Sequence, residues 1–210
     1  MIVTYLRSSS YNNYDYCQMQ YFITYALGHQ SISGKKAQLG TIVHKVMECL
    51  ASCKKELQDR NKKTGLSITD DALGEIKFTS KKLYTKQFVK GLLDLSYQYY
   101  TENCTHNYAR ADLKFCTKSV DDALSYNDGQ FDPRNRNVVA SEPQFDIPIE
   151  ADWAKYKYKM PNGEVVNGQL AIKGTIDLVT EVDDGVIEVI DWKTGRRLNW
   201  ATGEEKTYEK

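Results

Sequence analysis

Two aspartates and a lysine close together in the chain have the types and spacing that phosphate chemistry uses. Asp177 ends Gly174-Thr175-Ile176-Asp177, and Asp191 and Lys193 stand in Asp191-Trp192-Lys193-Thr194-Gly195. Side chains alternate along a strand, so Asp191 and Lys193 project from one face and Trp192 from the other. Two carboxylates opposed across a hairpin repel unless one is protonated or a cation lies between them. A hard divalent ion such as Mg²⁺ answers that repulsion. It takes oxygen ligands and keeps waters, so two aspartates and a backbone carbonyl leave positions for a phosphate oxygen and an attacking water. Lys193 would stabilise charge growing on the phosphate oxygens, or help to orient and deprotonate the water. An isolated D-x-K is more simply an exposed ion pair on an edge strand. Its weight here comes from the aspartate fourteen residues earlier, beyond a turn, and from the apolar residues leading into both.

Whether Asp177 meets Asp191 depends on the turn at Asp183-Asp184-Gly185. A three-residue loop pairs Val182 with Val186 and sets Asp177 across from Asp191 and Thr175 across from Lys193. A two-residue Asp184-Gly185 loop puts the aspartates on opposite faces. The sequence leaves both open.

The elements that must position these residues are legible in outline. A first helix is expected from about Ser10 to Leu27, with Ser8, Ser9 and Ser10 as N-cap candidates and Gly28 as the left-handed terminator. Its Tyr11, Tyr14, Tyr21 and Tyr25 fall near one face, as a core stripe more readily than as a base-stacking platform. A second helix is expected from Gln38 to about Gln58. Leu39, Val43, Val46, Met47 and Leu50 are its apolar face, with His44 at the edge. Asn61 to Asp70 reads as a loop. A third helical region follows from about Asp71 to Tyr100, where Lys77, Lys81, Lys82, Lys86 and Lys90 recur near every fourth residue, as a solvated face or a phosphate-tracking one. Asn103 to Val138 has no clear periodicity. Strand-like segments then run over Val138–Glu150, Gln169–Val182 and Val186–Lys193, with turns at Pro161-Asn162-Gly163 and Asp183-Asp184-Gly185. Helices followed by a three-stranded antiparallel meander make an α/β or α+β core.

Composition narrows the class. A chain of 210 residues, 41% apolar and 27% charged, suits one globular domain, and its formal net charge of zero gives no support to a nucleic-acid partner. No stretch has the roughly 18 continuous apolar residues of a membrane span, and the start lacks a secretory pattern, so no membrane partner is expected and a cytoplasmic location is the default. The five cysteines, Cys17, Cys49, Cys53, Cys104 and Cys116, are scattered and expected to be reduced, with Cys49 and Cys53 as packing residues.

At four places the chain resembles the PD-(D/E)XK nuclease superfamily, and within it the RecB-like exonuclease branch of CRISPR-adaptation and helicase-associated nucleases. The segment from Tyr5 through Cys17 and Tyr21-Phe22 to Gly28 looks like the opening helix. Gly40-Thr41-Ile42-Val43-His44 looks like G-x-x-x-H, Gly174-Thr175-Ile176-Asp177 like the first acidic motif, and Asp191-Trp192-Lys193-Thr194-Gly195 like D-[YW]-K-T-G. The resemblance implies a restriction-endonuclease-like core in a single domain over 1–210: mainly helical over 1–137, a β meander carrying the site over 138–193, and a truncated tail over 194–210. It implies Asp177 and Asp191 as metal ligands and catalytic residues, His44 as a metal contact, Lys193 as the catalytic lysine, and the Trp192 carbonyl as a further ligand. Glu142 stands where the family often has an accessory acid.

The expected activity is a Mg²⁺- or Mn²⁺-dependent deoxyribonuclease, exonuclease-like, serving recombination, repair or phage replication in a bacterial or phage-infected cell. Its partner is DNA. The family continues past D-x-K-T-G into a Q-x-x-x-Y helix and a further strand, and residues 203–210 hold no such motif. That implies a helicase, or a chain completing the C-terminal core, as a second partner. It also keeps a non-catalytic DNA-binding or assembly module as the alternative. An iron–sulfur cluster is not expected from this chain alone, because Cys17 has no C-terminal cysteine trio to join.

Overall fold

The computed structural model describes residues 4–29, 32–102 and 104–195. In chain order the elements are β1 (Tyr5–Leu6), α1 (Ser8–Tyr16), α2 (Gln18–Tyr21), α3 (Lys35–Arg60), β2 (Leu66–Asp70), β3 (Gly74–Phe78), α4 (Ser80–Leu83), α5 (Lys86–Glu102) and α6 (Arg110–Ser125). The strands β4 (Asn137–Ser141), β5 (Gln144–Pro148), β6 (Lys155–Lys159), β7 (Val165–Gln169), β8 (Ala171–Thr175), β9 (Leu178–Asp183) and β10 (Val186–Ile190) follow. This is a mixed α/β chain with small, mostly antiparallel sheets. No helix among the described residues is long and apolar enough to cross a membrane.

The chain divides into two compact units. One comprises Met1–Ser33 and Glu142–Ile176, the other Gly34–Ser141 and Asp177–Lys210. In the first, β8 pairs with β5 antiparallel and with β1 in parallel, and β6 pairs with β7 across the Gly163 turn. The expected single helix over Ser10–Leu27 is interrupted. Cys17 adopts an extended backbone between α1 and α2, and a π turn over Phe22–Ala26 ends near Gly28, whose φ is +76°. None of the serines is the N-cap, which is Arg7; Ser10, three residues on, accepts from the Arg7 N–H through Oγ at 2.9 Å and donates to the Arg7 carbonyl at 2.8 Å. The tyrosine stripe is not core, because Tyr11 and Tyr14 are exposed. Tyr14, Tyr21 and Tyr25 instead stack on one another, at ring separations of 5.4 and 5.2 Å.

The second unit is built on α3, which exceeds its expected length by a few residues and stops at Asn61 in the left-handed conformation. Its predicted apolar face, Leu39, Val43, Val46, Met47 and Leu50, is buried against β2–β3, α5, α6 and the sheet β4-β9-β10. One expectation fails here. Leu66–Phe78 is a β-hairpin, not a loop leading into a helix. Leu66 opposes Phe78 and Ile68 opposes Ile76, and Asp70 Oδ1 accepts the N–H groups of Ala72 and Leu73 to close the turn. Helix α6 fills the stretch that showed no pattern; its inward face includes Leu113, Cys116, Val120 and Leu124, and Asp112 Oδ2 accepts the Ala109 N–H at 2.7 Å.

The expected antiparallel meander is present as β4-β9-β10, with β9 in the middle. The first two expected strands are each cut in two, however, and their halves join different sheets. Glu142, at φ +48°, and Pro143, which has no N–H to donate, end β4 before β5 begins. Between β8 and β9 the Ile176 N–H turns aside to the Pro143 carbonyl.

Candidate active site

Five predicted residues, His44, Asp177, Asp191, Trp192 and Lys193, lie in the second unit. Helix α3 presents His44 one turn after Gly40. Asp177 immediately precedes β9, and Asp191 immediately follows β10. The turn between these strands has two residues, Asp184-Gly185, with Asp183 opposite Val186, but the pairing resumes with Glu181 opposite Ile187. Val182 is thus an unpaired bulge residue. It restores the register that a three-residue loop would have given: Leu178 opposes Ile190, where the ladder ends, and one further step of that register would oppose Asp177 to Asp191. The two-residue loop therefore does not separate the aspartates.

His44 Nδ1 lies 3.5 Å from Asp177 Oδ1, and the other carboxylate oxygen, Oδ2, accepts the Trp192 N–H at 2.7 Å. The contact with Asp177 raises the His44 pKa above its ordinary value, against the opposing effect of burial. Burial pushes the Asp177 carboxyl up, but His44 and the Trp192 N–H outweigh it, and the group sits below the usual carboxylate range. Asp191 Oδ1 pairs with Lys193 Nζ at 2.6 Å, both side chains being more than half exposed, while Trp192 between them is buried in the core. The alternation expected of a strand persists here, although β10 ends at Ile190 and not at the expected Lys193. A cavity of about 990 Å³ opens beside them, walled by Val43, Phe115, Tyr126 and Trp192 as well as by Asp191 and Lys193. Its size is that of small-ligand sites.

Thr175 does not stand across from Lys193. It belongs to β8 in the other unit, where it opposes Gln144. Glu142 also belongs to that unit and is exposed. Residues 196–210, most of the expected tail, lie outside the described residues.

Two glycines of the motifs have packing reasons that the sequence did not disclose. A Cβ on Gly40 would come within 2.9 Å of Thr194 Oγ1, so the bare helix backbone lets the segment after Lys193 lie against α3. A Cβ on Gly174 would meet the Phe145 ring at 2.4 Å. The only trace of either in sequence is glycine inside a helix or strand pattern.

Two carboxylates, an imidazole and a backbone carbonyl are a donor set suited to a hard divalent ion. In the arrangement seen, no group of three His, Cys, Asp or Glu side chains among the described residues is close enough to hold one. Each aspartate instead faces a basic side chain, Asp177 the imidazole of His44 and Asp191 the ammonium of Lys193.

No curated protein and no solved structure matches the chain. A family model described as the PD-(D/E)XK nuclease superfamily matches residues 8–209, nearly the whole length. With that match, and with its two acidic motifs and lysine on the ends of one β-hairpin beside the α3 histidine, the chain belongs to the PD-(D/E)XK nuclease superfamily.

Proposed function

We propose that the protein is a Mg²⁺- or Mn²⁺-dependent deoxyribonuclease of the RecB-like kind, acting as an exonuclease in recombination, repair or phage replication. The observation that carries this reading is the convergence of His44, Asp177, Asp191 and Lys193 around the β9–β10 register, in a chain of this superfamily. Asp177, Asp191, His44 and the Trp192 carbonyl would hold the ion, which supplies charge neutralisation and an acidified water when bound. Asp191 would have to exchange Lys193 for the ion. Lys193, freed from Asp191, would neutralise a phosphate oxygen of the scissile bond. Trp192, fixed in the core, holds the two residues that flank it at a set height. Glu142 is proposed as an accessory acid, DNA as the substrate and a helicase as the partner, in the cytoplasm of a bacterial or phage-infected cell.

One observation favours a second reading, a DNA-binding or assembly module without catalysis: both aspartates are already partnered within the protein, Asp177 by His44 and the Trp192 N–H and Asp191 by Lys193. One experiment separates the two. The protein is incubated with linear and circular, single- and double-stranded DNA, in Mg²⁺, in Mn²⁺ and in EDTA. Metal-dependent shortening of linear DNA that disappears in Lys193→Ala and Asp177→Ala supports the exonuclease. Retention without cutting supports the module, and absence of both binding and cutting sinks both.

A further inference from the structure

The lysines between α3 and α5 are not spread evenly over a solvated face. From Lys62 to Lys90 there are seven lysines against Asp70, Asp71 and Glu75, in a chain whose formal net charge is zero. Asp70 is moreover taken by Lys45, and Glu75 by Lys77. Among the described residues no acid pairs with Lys81, Lys86 or Lys90. The fold brings part of this backbone together. The Ser80 N–H donates to the Lys63 carbonyl at 2.9 Å, bringing the Lys62-Lys63 end of the loop to the start of α4.

Between the hairpin β2–β3 and the helices α4 and α5 lies a groove of about 740 Å³. Lys77, Lys81 and Lys82 stand along it with Glu75, which pairs with Lys77 and leaves Lys81 and Lys82 as its net charge; Phe88 and Leu92 are among its lining, and none of its residues is shared with the cavity beside Asp191 and Lys193.

Gly91 supplies a second, independent observation. It lies inside α5, where glycine costs up to about 1 kcal/mol relative to alanine. Packing does not demand it, since a Cβ there would meet nothing within 4 Å. It lines the groove, with Phe88 and Leu95 three before and four after it on the same helix face. A bare backbone at the wall of a cationic groove suits close approach by a ligand rather than by the protein's own side chains.

We infer that this groove binds the sugar–phosphate backbone of a single nucleic-acid strand, the lysines taking the phosphates and Gly91 admitting the strand to the α5 wall. The inference deepens the nuclease reading by adding a strand-holding site separate from the catalytic residues. A concave site within the roughly 300–1,000 Å³ of small-ligand pockets takes a nucleotide or two of a flexible strand, not the convex wall of a duplex.

The test is fluorescence anisotropy of the whole chain with a labelled oligothymidylate and with a duplex of equal length, in EDTA so that nothing is cut, over a range of salt. Wild type should prefer the single strand. Lys81→Ala with Lys82→Ala should lower the slope of log affinity against log salt by about 1.4, at roughly 0.7 per phosphate contact on a single strand. Gly91→Trp should weaken binding at least tenfold, and Gly91→Ala should keep or raise helix content and stability, so that a folding defect is recognised by circular dichroism. An unchanged affinity and slope in the double variant overturns the proposal, as does equal competition by poly-glutamate, which would assign the groove to an acidic polypeptide. Cutting by wild type with no effect of the lysine variants on strand binding refutes the groove and leaves the nuclease. Groove binding without any cutting by wild type does the reverse.

Discussion

Replacing Gly40 tests whether the helix-borne motif and the D-x-K-T-G segment are one mechanical unit. A Cβ at position 40 would stand 2.9 Å from Thr194 Oγ1, about half an ångström inside ordinary contact. In Gly40→Ala a rotation of the Thr194 side chain relieves that overlap, and alanine gains up to about 1 kcal/mol in helix propensity. Stability should therefore change by less than about 1 kcal/mol. Valine adds two further carbons about 1.5 Å beyond Cβ on a stiff side chain, and rotation of Thr194 no longer suffices. Its backbone must retreat by about 1 Å, carrying the adjoining Lys193 with it. Overpacking of this kind costs about 1–3 kcal/mol, and a 1 Å misplacement of a reacting group costs about 100-fold in rate. Chemical denaturation gives the first number and kcat/KM on linear DNA in Mg²⁺ the second. Thr194→Gly should restore much of both in the Gly40→Val background, through a coupling that a double-mutant cycle measures. Full activity in Gly40→Val, or no recovery in the double variant, refutes the proposed contact.

Three further outcomes follow from the charges and thiols. The raised pKa of His44 means that its pairing with Asp177 contributes stability fully below about pH 6.5 and loses it as pH rises through the raised value. NMR titration of the imidazole should show this in wild type, with a lower pKa in Asp177→Asn; titration at or below the ordinary value in wild type counts against the pair. Asp70 accepts from Lys45 at 3.1 Å and from two backbone N–H groups, and both side chains are largely buried. Asp70→Ala should cost about 3 kcal/mol in urea unfolding, and a loss below about 1 kcal/mol would show that Glu48 alone satisfies the lysine. Burial pushes Cys116 up to about 11 and Cys53 up to about 12, and it raises Cys49 as well, whereas the hydrogen bond from Tyr108 chiefly lowers Cys104. Iodoacetamide at neutral pH should label Cys104 well before those three, as mass spectrometry would show. Equal labelling of Cys104 and Cys116 would contradict it.

What the sequence disclosed follows the strength of its periodic signals. Helix α3 was legible because Leu39, Val43, Val46, Met47 and Leu50 repeat at helical spacing over several turns. Helix α6 was hidden because Cys116 and Ala123 take positions on its inner face that a leucine would have advertised. The hairpin over Leu66–Phe78 was missed because each strand has only five residues and the lysines beyond it mimic a helical repeat. The strand breaks at Glu142-Pro143 and Ile176-Asp177 were less visible still. Proline marks the first, but the second is set by a hydrogen bond to a residue more than thirty positions earlier.

The register that joins the aspartates shows how tertiary packing decides what turn chemistry leaves open. Asp184-Gly185 is a good two-residue turn, and continued without interruption it would set Leu178 opposite Asp191. Residues directly opposed share a face of the sheet. Leu178 is fully buried, so that pairing would carry a carboxylate into the core or bring Leu178 out of it, the latter alone costing about 2–3 kcal/mol. Inserting Val182 as a bulge instead opposes Leu178 to Ile190, two buried apolar side chains, and leaves Trp192 to follow Ile190 inward. By alternation the positions on the other face, 177, 191 and 193, are the acids and the lysine. The carboxylates are thus kept on one face by the leucine, isoleucine and tryptophan behind them, and any mutual repulsion need only be smaller than the burial that fixes this register.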